Sequence, residues 1–229
     1  DLAWSGRRPE GPPAPPRPTR RTCDAVGVPD PDTPPIRPRR EPAPFRPVTV
    51  ARTERRSHRL LRVGLTGAAL EGLVIDEPAA SIRLLLPSPT TGDVVLPTWN
   101  GNEFLLPDGS RPAIRTLTPR RWDASSALLE VDVVVHDGGR LPAWALAAGP
   151  GTPAAVSGPG RGYEVDPDAP AFVLAGDESA LPAMSQLLEV LPRDRPVDVH
   201  VEVAAPDARL PLPDHPAASV HWHDLPAGA

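Results

Sequence analysis

Residues 171–184 join a short apolar run to a helical pattern through a single glycine, and this junction commits the chain to a sheet with a helix laid on it. Phe172 and Val173 are β-formers in an apolar run from Ala171 to Ala175, which suits a strand covered on both faces, and Gly176 permits a tight exit. Asp177 or Ser179 can cap the helix that follows, and Pro182 is tolerated in its first turn. Ala180, Met184, Leu187, Leu188 and Leu191 recur at the helical period, predicting a helix over 179–191. In an α/β sheet the crevice beyond the carboxyl end of such a strand is where cofactors bind. A βα turn that holds no ligand has the same local pattern.

The pattern continues as α/β, with strands expected over 171–175, 197–204 and 218–223. A right-handed βαβ unit with its strands pairing in parallel is the simplest account. Upstream of Gly158, Pro159 and Gly160 the texture differs. Short strands are expected over 48–51, 60–65, 82–86, 104–106, 114–117 and 128–135, with Pro, Gly, Asp and Asn clusters between them. Six strands so spaced predict an antiparallel small barrel or sandwich. A length of 229 residues with 40% hydrophobic content allows one large or two small domains.

The start of the chain is different again. Residues 1–47 hold 14 of the 35 prolines and 9 of the 24 basic residues against 6 acids, with no periodic apolar pattern. Such a segment cannot build a core, so a disordered tail is expected over 1–45. An antiparallel domain is then expected over 46–160 and an α/β domain over 165–229. The first 47 residues carry about +3 (9 minus 6) and the remainder about −8 (15 minus 23), which argues against a nucleic-acid-binding body. Cys23 is the only cysteine, so no disulfide framework and no iron–sulfur or structural zinc site is expected. No apolar run reaches the roughly 18 residues needed to span a bilayer, and no apolar segment follows Arg7 and Arg8 to make them a signal. A cytoplasmic protein, monomeric and with no membrane partner, is the expectation. The chain begins at Asp1 rather than Met, as a fragment or an unusual gene model would.

Other constellations are sparse. His221 and His223 lie two apart on an expected strand and share a face, a metal-ligating spacing that lacks a third ligand locally; His200 reads as structural. Asp177, Glu178 and Ser179 sit beside a turn, yet no Gly-x-Ser-x-Gly elbow supports a hydrolase. The acidic pair at a helix start is explained by the helix dipole. Trp99, Trp122 and Trp144 read as core or turn residues.

Five segments in one order resemble a known family, over about residues 46–229. Arg62, Val63, Gly64, Leu65, Thr66 and Gly67, followed by Leu70, Glu71 and Gly72, resemble its opening strand and turn, and 82–87 its second strand. Arg115, Thr116, Leu117, Thr118, Pro119 and Arg120 resemble an Arg-x-Tyr-Thr-x-Arg flavin motif. Residues 131–136 ending in His136, then Gly138, Gly139, Pro142, Ala143, Trp144 and Ala145, are similar to a His…Gly-Pro-Ala…Trp-Ala segment. Residues 176–183 match a Gly-Asp-Glu-Thr-Ala-Leu-Pro-Ala signature with Ser179 in place of Thr. The family is the siderophore-interacting proteins, flavin-dependent ferric-siderophore reductases built like ferredoxin reductases.

The resemblance implies an antiparallel FAD-binding β-barrel followed by a parallel-sheet NAD(P)H-binding α/β domain, here truncated. It implies that NAD(P)H gives a hydride to FAD, and that the reduced flavin passes electrons to the Fe(III) of a ferric siderophore with no essential acid, base or nucleophile. Arg115 would clamp the pyrophosphate, since its planar fork matches phosphate oxygens. Thr118 would hydrogen-bond the reactive flavin edge, with Thr116 and Leu117 beside it. His136, Gly138, Gly139, Ala143 and Trp144 would bring backbone N–H groups to phosphate at a helix start. Asp177, Ser179 and Ala180 would lie near a ribose or ring edge. Arg83, Arg120 and Arg121 are candidates for a basic rim that receives an anionic ferric siderophore.

The chain departs from the family pattern in three places. Leu117 stands where the family has a tyrosine that packs on the flavin ring, a loss of about 1 kcal/mol or roughly fivefold. Arg140, Leu141, Pro142 and Ala143 replace a Gly-Pro-Ala-Ser turn, losing a hydroxyl and adding a cation. The chain also stops soon after its third α/β strand, where the family continues, so the expectation is either an incomplete record or a shortened form with weakened NAD(P)H binding. A flavin- or siderophore-binding protein without turnover is the alternative to the reductase.

Overall fold

The computed structural model describes residues 41–226, so residues 1–40 of the tail expected over 1–45, with Cys23, lie outside the described residues. Within the first part run β1 (Arg46–Arg55), β2 (Leu60–Thr66), β3 (Ile82–Leu85), β4 (Thr98–Trp99), β5 (Phe104–Leu105), β6 (Ile114–Leu117), β7 (Pro119–Asp123) and β8 (Leu128–Val134), then a helix α1 (Arg140–Ala147) and β9 (Pro153–Ser157). Seven of these strands form one antiparallel sheet in the order β6-β3-β9-β1-β2-β8-β7, and β4 and β5 form a separate hairpin. The two edge strands β6 and β7 are joined by one residue, Thr118. A single residue cannot cross a flat sheet of this width, so the sheet curls until its edges meet at that corner.

Alternation along each strand places Val48, Val50, Leu61, Val63, Leu65, Leu84, Leu129, Val131, Val133 and Val156 inside the curl, all nearly inaccessible. The six expected strands are present, and β4, β7 and β9 are additions. The last two escaped notice for a physical reason: β7 opens on Pro119 and carries Arg120 and Arg121, composition tolerated only on an edge, and β9 is a Pro-Ala-Ala run of low β-propensity. Phe45, expected in the tail, is instead buried against Leu85 and Ala155 and meets the Phe104 ring edge-on at 5.2 Å.

The second part is β10 (Phe172–Asp177), helix α2 (Leu181–Val190), β11 (Val197–Val203) and β12 (Ala218–Asp224). The three strands are parallel, in the order β10-β11-β12. Val197, Val199, Val201 and Val203 point into a core completed by Leu181 and by Met184, Leu187, Leu188 and Leu191, the last four among the residues whose period predicted the helix.

Three expectations are corrected here. β10 is not covered on both faces: it is an edge strand with α2 on one side only, and Val173 is 69% exposed. The α-helix starts two residues later than expected, because Glu178, Ser179 and Ala180 form a 3₁₀ turn; of the two possible caps, Asp177 acts, its carboxylate accepting from the Ser179 N–H. Gly176 has no left-handed backbone. It is required by close approach, since a Cβ there would stand 2.8 Å from the Ala180 Cβ and 3.2 Å from the Met184 Cε.

The outer face of β2 and β8 is the platform for the second sheet. Leu60 and Val134, paired in register, turn away from the first core and pack into the second. Gln186 on α2 ties the parts with both ends of its amide: its oxygen accepts from the Ala79 N–H at 2.7 Å and its nitrogen donates to the Pro119 carbonyl at 2.8 Å. No helix among the described residues is long and apolar enough to cross a membrane.

Candidate functional site

The corner that closes the curled sheet also opens a cavity of about 500 Å³ between the two parts. Arg115, Thr116, Leu117 and Thr118 form one wall, from the end of β6 through the corner. The outward face of β8 supplies Asp132 and Val134, and the same period-two alternation continues to His136. Gly139, Arg140, Leu141 and Pro142 at the start of α1 make the third side, and Ser179 and Pro182 at the start of α2 the fourth. The volume lies within the range of small-molecule and cofactor clefts.

Each wall carries a different kind of group. Arg115 donates to the carbonyl of its neighbour Ile114 at 2.8 Å and Arg140 to that of Pro87 at 3.0 Å; among the described residues neither has a carboxylate partner, which leaves two cations available to an anion. The only acid in the lining, Asp132, is neutralised by a fork–fork pair with Arg62, at 2.7 and 2.9 Å, and that hydrogen bond holds the Arg62 guanidinium above its ordinary pKa. Gly138 and Gly139 sit at φ 80° and 84°, a conformation that suits glycine, and turn the chain into α1. α1 has no side-chain cap and no acid in its first turn, so its first N–H groups and dipole face the cleft side unopposed. Ser179 donates its hydroxyl to Asp177 at 2.5 Å, which leaves its lone pairs for a donor in the cavity.

The expected site residues are thus divided. Arg115, Thr116, Leu117, Thr118, His136, Gly139 and Ser179 share the cavity. Gly138, Ala143, Asp177 and Ala180 flank it on the elements that build it. Trp144 packs against the first core, and its indole N–H is buried without a partner. Arg83, Arg120 and Arg121 do not gather around this cavity. Arg120 and Arg121 line a second cleft of about 570 Å³ under α2, where Arg120 pairs with Glu189 at 2.7 Å. Arg83 lies beside Trp99 and Phe104, its guanidinium 6.0 Å from the Phe104 ring centre. Asp132, Val134, Arg140, Leu141, Pro142 and Pro182 were not among the expected site residues; alternation backward from His136 would have found the first two.

The residues fit a flavin dinucleotide: two unpaired arginines and an uncapped helix start suit a pyrophosphate, while Leu117, Val134, Leu141 and Pro142 offer apolar cover with the hydroxyls of Thr116 and Thr118 alongside.

Comparison with known proteins gives the same picture. The profile described as siderophore-interacting FAD-binding domain matches residues 49–163, and the profile described as siderophore-interacting protein matches residues 169–226. The ferric vibriobactin reductase ViuB of Vibrio cholerae is 36% identical over 148 residues, which cover 64% of this chain and 54% of the relative. An NADPH-dependent ferric-chelate reductase of Escherichia coli is 38% identical over 148 residues, covering 64% of this chain and 57% of that protein. The chain spans about half the length of the curated relatives it matches. Among solved structures, a siderophore utilization protein from T. fusca superposes with a TM-score of 0.72 at 37% identity, covering 82% of this chain and 73% of that one. The flavohem-like FAD/NAD-binding domain of a Vibrio cholerae nitric oxide dioxygenase shares the fold at 12% identity and a TM-score of 0.56. Profiles matching both sheets, together with these relatives, show that the chain belongs to the siderophore-interacting protein family.

Proposed function

We propose that this protein is a ferric-siderophore reductase that takes electrons from NAD(P)H through FAD. The observation that carries this reading is the cavity at the Thr118 corner, where Arg115, Arg140 and the open start of α1 face Thr116, Leu117, Thr118 and Ser179. Arg115 and Arg140 hold the pyrophosphate, and Leu117 covers the ring from the corner. Thr118 and Ser179 orient the ring edge by hydrogen bonding, and Val134 and Leu141 keep water from its face. FAD bound there couples two-electron hydride chemistry from NAD(P)H to single-electron delivery to Fe(III). Hard anionic oxygen ligands hold Fe(III) more tightly than Fe(II), so the reduced metal is released without attack on the chelator. The chain need only bind, orient and exclude water. Arg120 is already paired with Glu189 and Arg83 lies beside Trp99 and Phe104, so neither supplies a basic rim at this cavity.

A flavin-binding protein without turnover is the second reading, favoured by Leu117, which puts an aliphatic side chain where the family pattern has an aromatic ring. One preparation separates the two. The purified protein is loaded with FAD, desalted, and its absorbance recorded; NADH or NADPH oxidation is then followed with a ferric catecholate chelate. Stoichiometric flavin and chelate-dependent oxidation above the free-FAD rate support the reductase. Stoichiometric flavin without turnover supports binding alone, and folded protein that retains no flavin overturns both.

A further inference from the structure

The polar face of the parallel sheet, opposite α2, carries three histidines that the sequence did not place together. β11 and β12 pair with His200 opposite His221 and Glu202 opposite His223. The His200 ring stacks near-parallel on His221 at 4.8 Å and on His223 at 5.4 Å. His200, expected to be structural, lies beside the other two: its Nδ1 points at the Nε2 of His223, 3.1 Å away. His221 and His223 are exposed, His200 is half-exposed, and Asp198 and Glu202 share the face through alternation along β11.

We propose that His200 and His223, completed by Glu202, bind a late first-row divalent metal ion such as Zn(II) or Ni(II). Two nitrogens held by one tetrahedral ion at about 2.0–2.1 Å stand about 3.3 Å apart, close to the 3.1 Å between these two, so an ion is accepted once the rings, now aimed at each other, rotate to turn both lone pairs toward it. Imidazole nitrogen is the preferred donor for such ions, and neutral imidazoles bind by releasing the proton they share. Glu202 is exposed, lies directly across from His223 and two residues from His200 on the same face, and engages no other side chain among the described residues. Among the described residues no three such side chains are already gathered around one point, so Glu202 swings in as the third ligand and water fills the fourth position. The acids facing the pair, Asp177 across β10, Asp198 and Glu202, give the face the charge a cation needs. None of His200, Glu202 and His223 lines the flavin cavity.

The test is calorimetric titration of the tag-free 229-residue chain with ZnCl₂ at pH 7.5, in a Cys23→Ser background to remove the thiol. One equivalent binding in the micromolar range is expected. His200→Gln and His223→Gln should each weaken it at least tenfold, Glu202→Gln severalfold, and the distant His58→Gln not at all. Nitrogen-15 spectra of the histidine rings should show the Nδ1 of His200 and the Nε2 of His223 changing on zinc addition. Absence of saturable one-equivalent binding, or His200→Gln and His223→Gln proteins that bind as the parent does, overturns the proposal. The substituted side chains lie on an exposed face, and circular dichroism checks that the variants fold.

Discussion

The guanidinium of Arg59, at the foot of β2, grips the buried carboxylate of Glu178, its Nε donating to both carboxylate oxygens at 2.8 and 3.1 Å and its Nη2 to one of them. The two residues are 119 apart in sequence, so this pair, with Leu60 and Gln186, sets how the start of α2 meets the curled sheet and therefore where Ser179 stands. The sequence explanation, an acidic pair favoured by a helix dipole, covers Asp177 but not Glu178, whose charge is spent on Arg59.

Glu178→Ala should cost about 2 kcal/mol, below the roughly 3–5 kcal/mol of a fully buried pair because Arg59 keeps some contact with water. A melting temperature about 4–8 °C lower is the expected reading for a protein of this size. The double variant Arg59→Met, Glu178→Met should lose less than the sum of the single changes, since no buried charge is then stranded. Additive losses would show that the pair does not act as a unit.

Gly176→Val should be worse tolerated than Val173→Thr, three residues away on the opposite face of β10. The new Cβ would meet the Ala180 Cβ, held in the 3₁₀ turn, at 2.8 Å, so backbone must move, at about 1–3 kcal/mol. Val173→Thr, on the exposed face, should change stability by less than about 0.5 kcal/mol. Urea midpoints of the two variants check this, and equal midpoints would refute the close-approach account.

Much of this architecture was legible from local pattern. The strand over 128–135 and the 3.6-residue period from Ala180 to Leu191 are written in eight and twelve neighbouring residues, and β8 appears at 128–134 and α2 at 181–190, inside the expected spans. What was not legible depends on partners distant in the chain. Whether Val173 is covered depends on what lies beside β10, which its own residues do not encode. Arg120 closes the flavin-motif resemblance and was a candidate for an anion-receiving rim, and only the fold brings Glu189, 69 residues away, to pair with it. The cavity was legible in Arg115 to Thr118 and in Ser179, because a strand ending at a tight corner and a strand ending at a helix are both local events. Its β8 wall was not, since Asp132 is hidden inside a run read only for its apolar members.

Asp123 sets an acid-side dependence. Its carboxylate accepts from the Ser125 hydroxyl and N–H at 2.6 and 3.0 Å and from the Ser126 hydroxyl at 2.8 Å, in the turn joining β7 to β8. These bonds, that from the Ser125 side chain foremost, lower its pKa from 3.8 to about 2. A depressed folded value means that the turn's contribution is complete above about pH 4 and is lost as pH falls through about 2. Carbon-13 titration of the Asp123 carboxyl should give a midpoint near 2 in the parent, and one nearer 3.8 in the Ser125→Ala, Ser126→Ala variant. Identical midpoints would remove the hydroxyls as the cause.

Leu117→Tyr should tighten FAD about fivefold, about 1 kcal/mol, by restoring a ring to the corner beside Thr118. Leu117 is half-buried and packs against the first core, so the larger side chain has room toward the cavity. Quenching of flavin fluorescence on binding reads the difference, and weaker binding would mean that the ring cannot turn outward at this corner.

Arg115 carries the sharpest expectation of the flavin reading. It is exposed, has no carboxylate partner among the described residues, and bonds only to the adjacent Ile114 carbonyl, so removing it disturbs no packing. A bidentate arginine–phosphate contact contributes about 1.5–3 kcal/mol. Arg115→Ala should therefore raise the Kd for FAD roughly ten- to a hundredfold with the melting temperature of the flavin-free protein unchanged. Arg115→Lys should recover part of that loss, because a point charge replaces the charge but not the fork. Riboflavin, which lacks the phosphates, should bind parent and Arg115→Ala protein alike. An equal loss for riboflavin would place Arg115 against the ring instead of the pyrophosphate, and no loss for either flavin would remove it from the site.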